Sequence, residues 1–269
     1  ARELLVEAAR AAGRLALASF KPGERTAAHI RLKGGGSPVT GADLAVDEFL
    51  KRELAGLFPE AGWLSEETED DETRLSRVQV LIVDPIDGTR AFIDGDPRWT
   101  VSIALVAAGR PVAGVVHAPA LDETYAASAG GGAALNGEAI AVSGRGRLDG
   151  AHIGGPRGLV QALERGGGLT LRLEPKIPSL AYRLALVARG ALDLAIASDK
   201  SHDWDIAAAD LILAEAGGTL VDSNGQGLLY NRADTLHPAL FAAPRKLIGQ
   251  ALAAADATKT GRSSLASPA

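Results

Sequence analysis

The chain has 269 residues, 46% of them hydrophobic, which is enough to bury a large core in one unit or in two closely joined halves. With 28 Lys and Arg against 33 Asp and Glu, no basic block and 4% aromatic residues, the composition argues against a polymeric nucleic-acid partner, and the absence of cysteine excludes disulfides and sulfur-ligated metals. The longest apolar runs, such as residues 101–108, are far shorter than the roughly 20 residues that cross a membrane, so we expect a cytoplasmic protein without membrane contact.

The first part of the chain predicts two helices joined by a loop. Residues 2–20 place leucine and alanine at helical spacing with charges on the other face, which predicts an amphipathic helix. The segment 33–43, KGGGSPVTGAD, is typical of a flexible loop. Thr40 and Asp43 match an acidic form of the capping box, so Asp43 should lie in the first turn of a second helix that ends near Leu57.

An antiparallel sheet is predicted next, because short runs rich in β-branched residues alternate with turn residues. The predicted strands are residues 78–83, 99–107, 111–117 and 124–128, and GGGAALNG at 130–137 predicts a glycine-rich turn. The sequence VDPIDGTRAF, residues 83–92, should therefore lie between the first two strands.

Beyond residue 145 the pattern changes to short strands alternating with helices, which is typical of α/β structure. The predicted strands are 169–173, 192–197, 219–221 and 240–242, and the predicted helices are 179–189, 205–216 and 245–255. We therefore predict a single unit over 1–255, with a helix pair and antiparallel sheet in 1–145 and an α/β half in 146–255. Residues 256–269 should form a flexible tail.

Within VDPIDGTRAF, Asp84 and Asp87 flank Pro85 and Ile86. Proline fixes one backbone angle and Gly88 permits a conformation closed to other residues, so the two carboxylates can be held on the same side of a turn. Two close carboxylates repel unless a cation lies between them, and Mg²⁺ prefers such oxygen ligands. Taken alone, the motif is at least as typical of a solvated Asp-Pro turn.

Two further acidic clusters bear on that choice. Glu66 and Glu67 follow the strand-like residues 62–64, and Asp203 and Asp205 stand at the start of a predicted helix. Acidic runs are usually solvated loops, and acidic residues at helix starts usually cap the helix. Each cluster is a weak signal by itself, but the three motifs together are specific.

Their order and spacing resemble the inositol monophosphatase superfamily of metal-dependent, lithium-sensitive phosphatases. That superfamily has an acidic dipeptide after a strand, then D-P-I/L-D-G-T with an aromatic soon after, and later W-D-x-A-A before E-A-G-G. The matching residues here are Glu66–Glu67, Asp84–Thr89 with Phe92, Trp204–Ala208 and Glu215–Gly218. The resemblance extends from Asp43 to Gly218 and rests on three motifs rather than one.

The resemblance implies a role for each motif residue. Two or three Mg²⁺ ions would be held by Glu66, Asp84, the Ile86 carbonyl, Asp87 and Asp205, and Li⁺ would inhibit. Glu66 would also work with Thr89 to activate the attacking water, and Asp43 would orient Thr89. Gly88 and Thr89 would bind the phosphate through their backbone N–H groups. Lys33 would help to bind phosphate or an additional metal, with a solvated surface lysine as the alternative.

Two other interpretations stay open. Ser201, His202 and Asp203 contain the residue types of a nucleophilic relay, but such a relay depends on geometry, which adjacency in sequence does not provide. A non-catalytic protein that merely holds a cation is the alternative from another class.

The substrate is less well defined than the reaction. Inositol monophosphatases carry an acidic residue about where Ser198 stands here, and Asp199 is offset from that place by one. Lys200 and His202 would suit a second phosphate, although a solvated loop explains them equally well. Ser179 matches the small hydroxyl residue that the bacterial 3'(2'),5'-bisphosphate nucleotidase branch uses near the leaving group, while Pro178 replaces the more usual glycine.

We therefore expect a metal-dependent phosphoric monoester hydrolase that removes the 3'-phosphate of adenosine 3',5'-bisphosphate. Inositol 1-phosphate and histidinol phosphate are the alternative substrates. The resemblance also implies a layered α-β-α-β-α sandwich of the inositol monophosphatase and fructose-1,6-bisphosphatase type, and a homodimer. The α+β and α/β pattern of predicted elements is compatible with that fold.

Overall fold

The computed structural model describes residues 1–33 and 36–263. Its helices are α1 (Arg2–Leu17), α2 (Gly41–Leu57), α3 (Thr89–Asp94), α4 (Arg157–Gly167), α5 (Leu180–Ala188), α6 (Asp203–Glu215) and α7 (Arg245–Ser263). Its strands are β1 (Ile30–Leu32), β2 (Pro38–Thr40), β3 (Gly62–Ser65), β4 (Gln79–Asp87), β5 (Thr100–Ala107), β6 (Arg110–Ala118), β7 (Glu123–Ser128), β8 (Ala133–Leu135), β9 (Glu138–Ala139), β10 (His152–Gly154), β11 (Arg172–Leu173), β12 (Leu194–Ala197), β13 (Ser201–His202), β14 (Gly218–Asp222), β15 (Leu236–His237) and β16 (Leu240–Pro244).

Two sheets organise the chain. The first has seven strands in the order β3-β4-β5-β6-β7-β8-β9, antiparallel except for the parallel pair β3 and β4. The second has five strands in the order β11-β10-β12-β16-β14, in which β11, β10 and β12 are parallel and β16 runs antiparallel to both neighbours. Two-stranded ribbons join β1 to β2 and β13 to β15.

Helices cover both faces of each sheet. Helices α1 and α2 pack on the outer face of the first sheet, α5 and α6 lie between the sheets, and α4 and α7 cover the outer face of the second. Alternate residues of β4 therefore enter different cores: Val80 and Ile82 contact the middle layer, and Leu81 and Val83 contact α1 and α2. A strand that is buried on both faces is apolar along its length, whereas a strand with one exposed face alternates between apolar and polar residues. The expected α-β-α-β-α sandwich is confirmed.

Most predicted elements are present with shifted ends, and three predicted segments differ from the structure. The predicted loop 33–43 contains β2, and residues 34–35 of it lie outside the described part of the chain. The predicted turn 130–137 contains β8. The final helix, predicted over 245–255, continues to Ser263, so the first part of the predicted tail is helical and residues 264–269 lie outside the description.

Several elements were not predicted at all: helix α4 and the short strands β1, β9, β10, β13 and β15. Strand β10 has only three residues, too few for a periodic pattern to show. Helix α4 buries only Val160 and Leu163 and carries three glycines, which are poor helix formers. The proposed division at residue 145 stays a prediction. Among the described residues, no helix combines the length and apolar character needed to span a bilayer.

Glycine 95 at the end of α3 offers a test of this packing. Its φ is +73°, and a Cβ there would lie 2.5 Å from backbone atoms of Lys21 and Glu24. We expect Gly95→Ala to lower the free energy of unfolding by about 3 kcal/mol, because a strained backbone conformation and a clash with backbone atoms add up. The neighbouring Gly23 has φ +70° but open space around it, so Gly23→Ala should cost only about 1 kcal/mol. Equal losses in urea unfolding would contradict this account.

Candidate active site

The two aspartates of the DPIDGT motif lie at the end of β4. The motif was predicted as a turn between strands, but β4 continues through Asp87 and pairs with β5. Asp84 opposes Ser102 and Asp87 opposes Thr100, so three steps along β4 match two along β5, which is a β-bulge. Residues three apart point to opposite faces of a regular strand. The bulge therefore brings both carboxylates to the same side.

Asp205 completes the acidic group from the N-terminus of α6. Its carboxylate accepts a hydrogen bond from the backbone N–H of His202 at 2.6 Å, which fixes it in the first turn of the helix. One carboxylate oxygen from each of Asp84, Asp87 and Asp205 lies within 4.8 Å of the others. We call these three residues the aspartate cluster.

Burial and mutual repulsion make the aspartate cluster costly to ionise. Asp84 is 1% exposed and Asp87 is 6% exposed. Burial, followed by the charges of Glu66 and Asp87, raises the pKa of Asp84 well above its usual range. Burial also raises the pKa of Asp87 to about 6, although hydrogen bonds from Ser179 and the start of α5 oppose that shift. Burial and the charge of Asp87 raise the pKa of Asp205.

The donor set fits a hard divalent cation. It supplies three carboxylate oxygens from two chain segments, β4 and α6, and the Ile86 carbonyl lies in the bulge of β4. Such cations prefer oxygen ligands, and a positive charge between the carboxylates removes the repulsion that raises their pKa values.

Glu66 lies beside this cluster, directly after β3, which pairs in parallel with β4. In the structure its carboxylate accepts a hydrogen bond from Lys33 Nζ at 2.7 Å, and Glu67 accepts one from the same ammonium at 2.7 Å. Burial, partly opposed by the hydrogen bond from Lys33, raises the pKa of Glu67 to about 7. Lys33 thus reaches the site as expected, but it contacts these two glutamates, and the Glu67 contact was not foreseen.

Thr89 and the buried Asp43 form a hydrogen-bonded pair next to the cluster. Thr89 Oγ1 lies 3.1 Å from Asp43 Oδ1 and 3.1 Å from the Ile86 carbonyl. Asp43, 1% exposed, is held in turn by the backbone N–H of Thr40 at 2.8 Å within the predicted capping box. The geometry expected for Asp43 orienting Thr89 is therefore present.

Gly88 makes the turn from β4 into α3. Its φ is +92°, and a Cβ there would lie 3.2 Å from the backbone nitrogen of Ser179 and 3.3 Å from its Cβ. A side chain is thus disfavoured by both conformation and space, which explains the glycine. Its backbone N–H and that of Thr89 lie in the expected position at the start of α3.

Ser179 is engaged in a way that the sequence did not reveal. It is fully buried, and its hydroxyl donates to Asp87 at 2.6 Å while accepting from the Tyr182 N–H at 2.9 Å. The Ala181 N–H also donates to Asp87, at 2.7 Å. The single hydroxyl proton of Ser179 thus serves Asp87, and the expected contact with a leaving group stays a prediction.

The segment before α6, residues 198–202, makes fewer contacts with the site residues than the sequence predicted. Asp199 and Lys200 are exposed in the turn between β12 and β13, and neither has a hydrogen bond or ion pair to the described site residues. His202 stacks on Trp204 with ring centroids 4.6 Å apart. The Ser201-His202-Asp203 relay does not form, because Asp203 bonds to His237 Nε2 at 2.7 Å instead. Sequence reasoning missed that buried pair, since 34 positions separate its members.

The aspartate cluster predicts a stability that depends on pH and metal. The pKa of Asp87 in the folded protein exceeds its usual value of 3.8, so the metal-free fold binds more protons than the unfolded chain and loses stability as pH rises from about 4 to 6 and beyond. We expect Mg²⁺ to raise Tm more at pH 7.5 than at pH 5.

Asp84→Asn should raise the metal-free Tm at pH 7.5 by about 2–8 °C, because it removes a buried like charge, and should abolish the Mg²⁺ increment. Asp94→Asn, an exposed change on α3, serves as control. Differential scanning calorimetry with EDTA or Mg²⁺ measures both effects. An Asp84→Asn protein that is less stable than the parent without metal, or that keeps the Mg²⁺ increment, would contradict the charge-repulsion account.

Comparison with known proteins identifies the family of this chain. The model of the inositol monophosphatase family matches residues 1–259. An inositol-1-monophosphatase of Mesorhizobium japonicum is 38% identical over 240 residues, covering 85% of this chain and 88% of the relative. The 3'(2'),5'-bisphosphate nucleotidase CysQ of Haemophilus influenzae is 31% identical, covering 77% of this chain and 80% of the relative.

Solved structures match over a still larger part of the chain. The extragenic suppressor protein suhB of Bartonella henselae superposes with a TM-score of 0.82 at 31% identity, over 96% of this chain and 98% of that one. The IMPase of Thermotoga maritima gives 0.80 at 28% identity, with the same coverage. This chain belongs to the inositol monophosphatase family of metal-dependent phosphatases.

Proposed function

We propose that this protein hydrolyses a small phosphate monoester in a Mg²⁺-dependent reaction in which water displaces the alcohol directly. The observation that carries the proposal is the aspartate cluster, whose oxygens lie within 4.8 Å of one another, with Asp84 and Asp87 buried and Asp205 half-buried. A cation held there would activate water directly, so the proposed reaction needs no covalent phospho-enzyme.

The residues that would hold the cation come from β3, β4 and α6. They are Glu66, Asp84, the Ile86 carbonyl, Asp87 and Asp205. A divalent cation bound there neutralises phosphate charge and acts as a Lewis acid. Glu66 can join the set only after its ion pair with Lys33 opens, because the ammonium now contacts its carboxylate at 2.7 Å. Lys33 would then be released to meet the incoming phosphate.

The residues that would orient the attacking water and move its proton are Thr89, Asp43 and Glu66. Thr89 donates its own proton toward Asp43, which leaves its oxygen as an acceptor for a proton of the attacking water. Asp43 cannot turn away, because Thr40 holds it through both its N–H and its hydroxyl. Glu66 would accept the one proton that the water loses on attack, and that proton would then pass to the oxygen of the leaving alcohol, while the water's other proton stays on the released phosphate. The N–H groups of Gly88 and Thr89 would bind the phosphate.

For the substrate we propose adenosine 3',5'-bisphosphate, with loss of its 3'-phosphate. Ser198, where inositol monophosphatases carry an acid, offers no carboxylate to a polyol, and the exposed Lys200 adds positive charge on that side. The similarity to CysQ supports this choice. Inositol 1-phosphate is the second candidate, because the relative at 38% identity is named for it. Histidinol phosphate is the third, and Li⁺ inhibition, a homodimer and a cytoplasmic location remain predictions.

A side-by-side assay tests the function. Phosphate release from adenosine 3',5'-bisphosphate, inositol 1-phosphate and histidinol phosphate should require Mg²⁺, stop with EDTA, and be fastest with the bisphosphate. Asp87→Asn should lose activity on all three, whereas the exposed Asp94→Asn should retain it. Metal-independent release, or full activity of Asp87→Asn, would refute the mechanism. A higher kcat/KM for inositol 1-phosphate would refute only the substrate.

Thr89 gives a sharper test of the proton path. Thr89→Ala removes the hydroxyl and should lower kcat by about 10²- to 10⁴-fold, the usual range for loss of a general acid-base group. Thr89→Ser keeps the hydroxyl within reach of Asp43 and should restore most of the rate. If the alanine and serine variants were equally slow, the threonine would act through its methyl packing instead. Mg²⁺ binding by calorimetry should be similar in both variants.

A further inference from the structure

A cavity of about 710 Å³ lies next to the start of α5, outside the aspartate cluster. Its walls are the loop that enters α4 (residues 155–157), the segment after β11 (residues 173–178) and Arg183 on α5. The volume falls within the range of small-molecule sites, roughly 300–1,000 Å³. None of the residues assigned so far to metal or water lines it.

Three basic side chains line this cavity without a carboxylate partner. Among the described residues, Arg157, Lys176 and Arg183 take part in no ion pair. Arg183 donates through Nη1 to the Ile196 carbonyl at 2.8 Å, but its Nε is buried with no hydrogen-bond partner. The one acid in the lining, Glu174, is bonded to His152 Nε2. A buried cationic donor without an acceptor is costly unless an anion meets it.

The same cavity receives the N-terminus of α4. The cap residue is Pro156, which provides no side-chain acceptor. The Pro156 carbonyl accepts hydrogen bonds from the backbone N–H groups of Leu159 and Val160. Among the described residues, the N–H groups of Arg157 and Gly158 have no such acceptor, so they can bind another one. A Cβ on Gly158 would meet nothing within 4 Å, so access to this turn is open. Free N–H groups at a helix start favour anions.

The cavity and the aspartate cluster are neighbours, because adjacent residues of the chain contact each of them. Pro178 lines the cavity, and the next residue, Ser179, bonds to Asp87. Arg183 lies one helical turn beyond Ser179, about 6 Å further along the axis of α5. An anion held by Arg183 would therefore lie one turn of helix away from the place where the proposed reaction occurs.

We propose that this cavity is an anion subsite that binds the second phosphate of a bisphosphorylated substrate while the aspartate cluster holds the phosphate to be removed. The inference rests on the proposed function and deepens it. Arginine binds phosphate through two parallel hydrogen bonds, and Arg157, Lys176 and the α4 N–H groups supply further donors. A substrate with one phosphate would forgo these hydrogen bonds, and the buried Nε of Arg183 would stay without a partner, which selects against it.

The test removes the two exposed cations of the subsite, Arg157→Ala with Lys176→Ala, so that folding is not at risk. The matched control is Lys51→Ala with Arg52→Ala on the exposed face of α2. The ratio of kcat/KM for adenosine 3',5'-bisphosphate to that for adenosine 3'-monophosphate should fall about 10- to 100-fold in the subsite variant. Calorimetry should show weaker binding of adenosine 5'-monophosphate, which keeps the second phosphate. The control should change neither value.

The outcomes separate the two proposals. If the ratio and the binding of adenosine 5'-monophosphate are the same in the subsite variant and the control, the subsite is refuted while Mg²⁺-dependent hydrolysis of p-nitrophenyl phosphate still supports the function. If the parent protein releases no phosphate from p-nitrophenyl phosphate or either nucleotide, the proposed function fails and the subsite with it. Arg183→Gln provides a second variant, which should lower the ratio further than the exposed pair does.

Discussion

The repulsion among three closely spaced carboxylates, two of them buried and one half-buried, is the constraint around which this site is arranged. Asp84, Asp87 and Asp205 each receive a backbone hydrogen bond, from the N–H groups of Ile86, Ala181 and His202 respectively. These donors fix the oxygens in place, yet they do not cancel the charge, because burial still raises the pKa of each carboxyl. The fold therefore pre-organises an anionic site whose full stabilisation depends on a cation.

The layered architecture brings these groups together from distant parts of the chain. Asp87 belongs to the first sheet, but its carboxylate is bonded by Ser179 and the start of α5, which lies in the layer between the sheets. Asp205 reaches the same point from α6, the other helix of that layer. The site thus lies at the junction of a sheet and two helices. A shift of the middle layer against the first sheet would break the hydrogen bonds that orient Asp87.

The sequence predicted the parts of the site that depend on local spacing. The DPIDGT motif, the Thr40–Asp43 capping box and the acidic start of α6 are each visible within a few residues. What stayed hidden joins residues far apart, such as Ser179 with Asp87 or Lys33 with Glu66. The bulge in β4 was also missed, because Pro85 and Gly88 favour a turn, whereas β5 pairs with Asp84 and again with Asp87. Tertiary pairing to β5 outweighed the local preference.

Substrate selection has to come from outside the aspartate cluster. A cation and the N–H groups of Gly88 and Thr89 would recognise phosphate, which every monoester carries, so they cannot distinguish one alcohol from another. The walls next to Asp87 differ in charge: negative at the cluster, and positive one helical turn along α5 at Arg183. A neutral polyol has no charge to offer the positive wall, whereas a molecule with two phosphates can satisfy both. Unpaired buried donors discriminate more strongly than shape alone. In the proposed anion subsite we therefore expect specificity to depend more on Arg183, whose Nε is buried without a partner, than on the exposed Arg157 and Lys176.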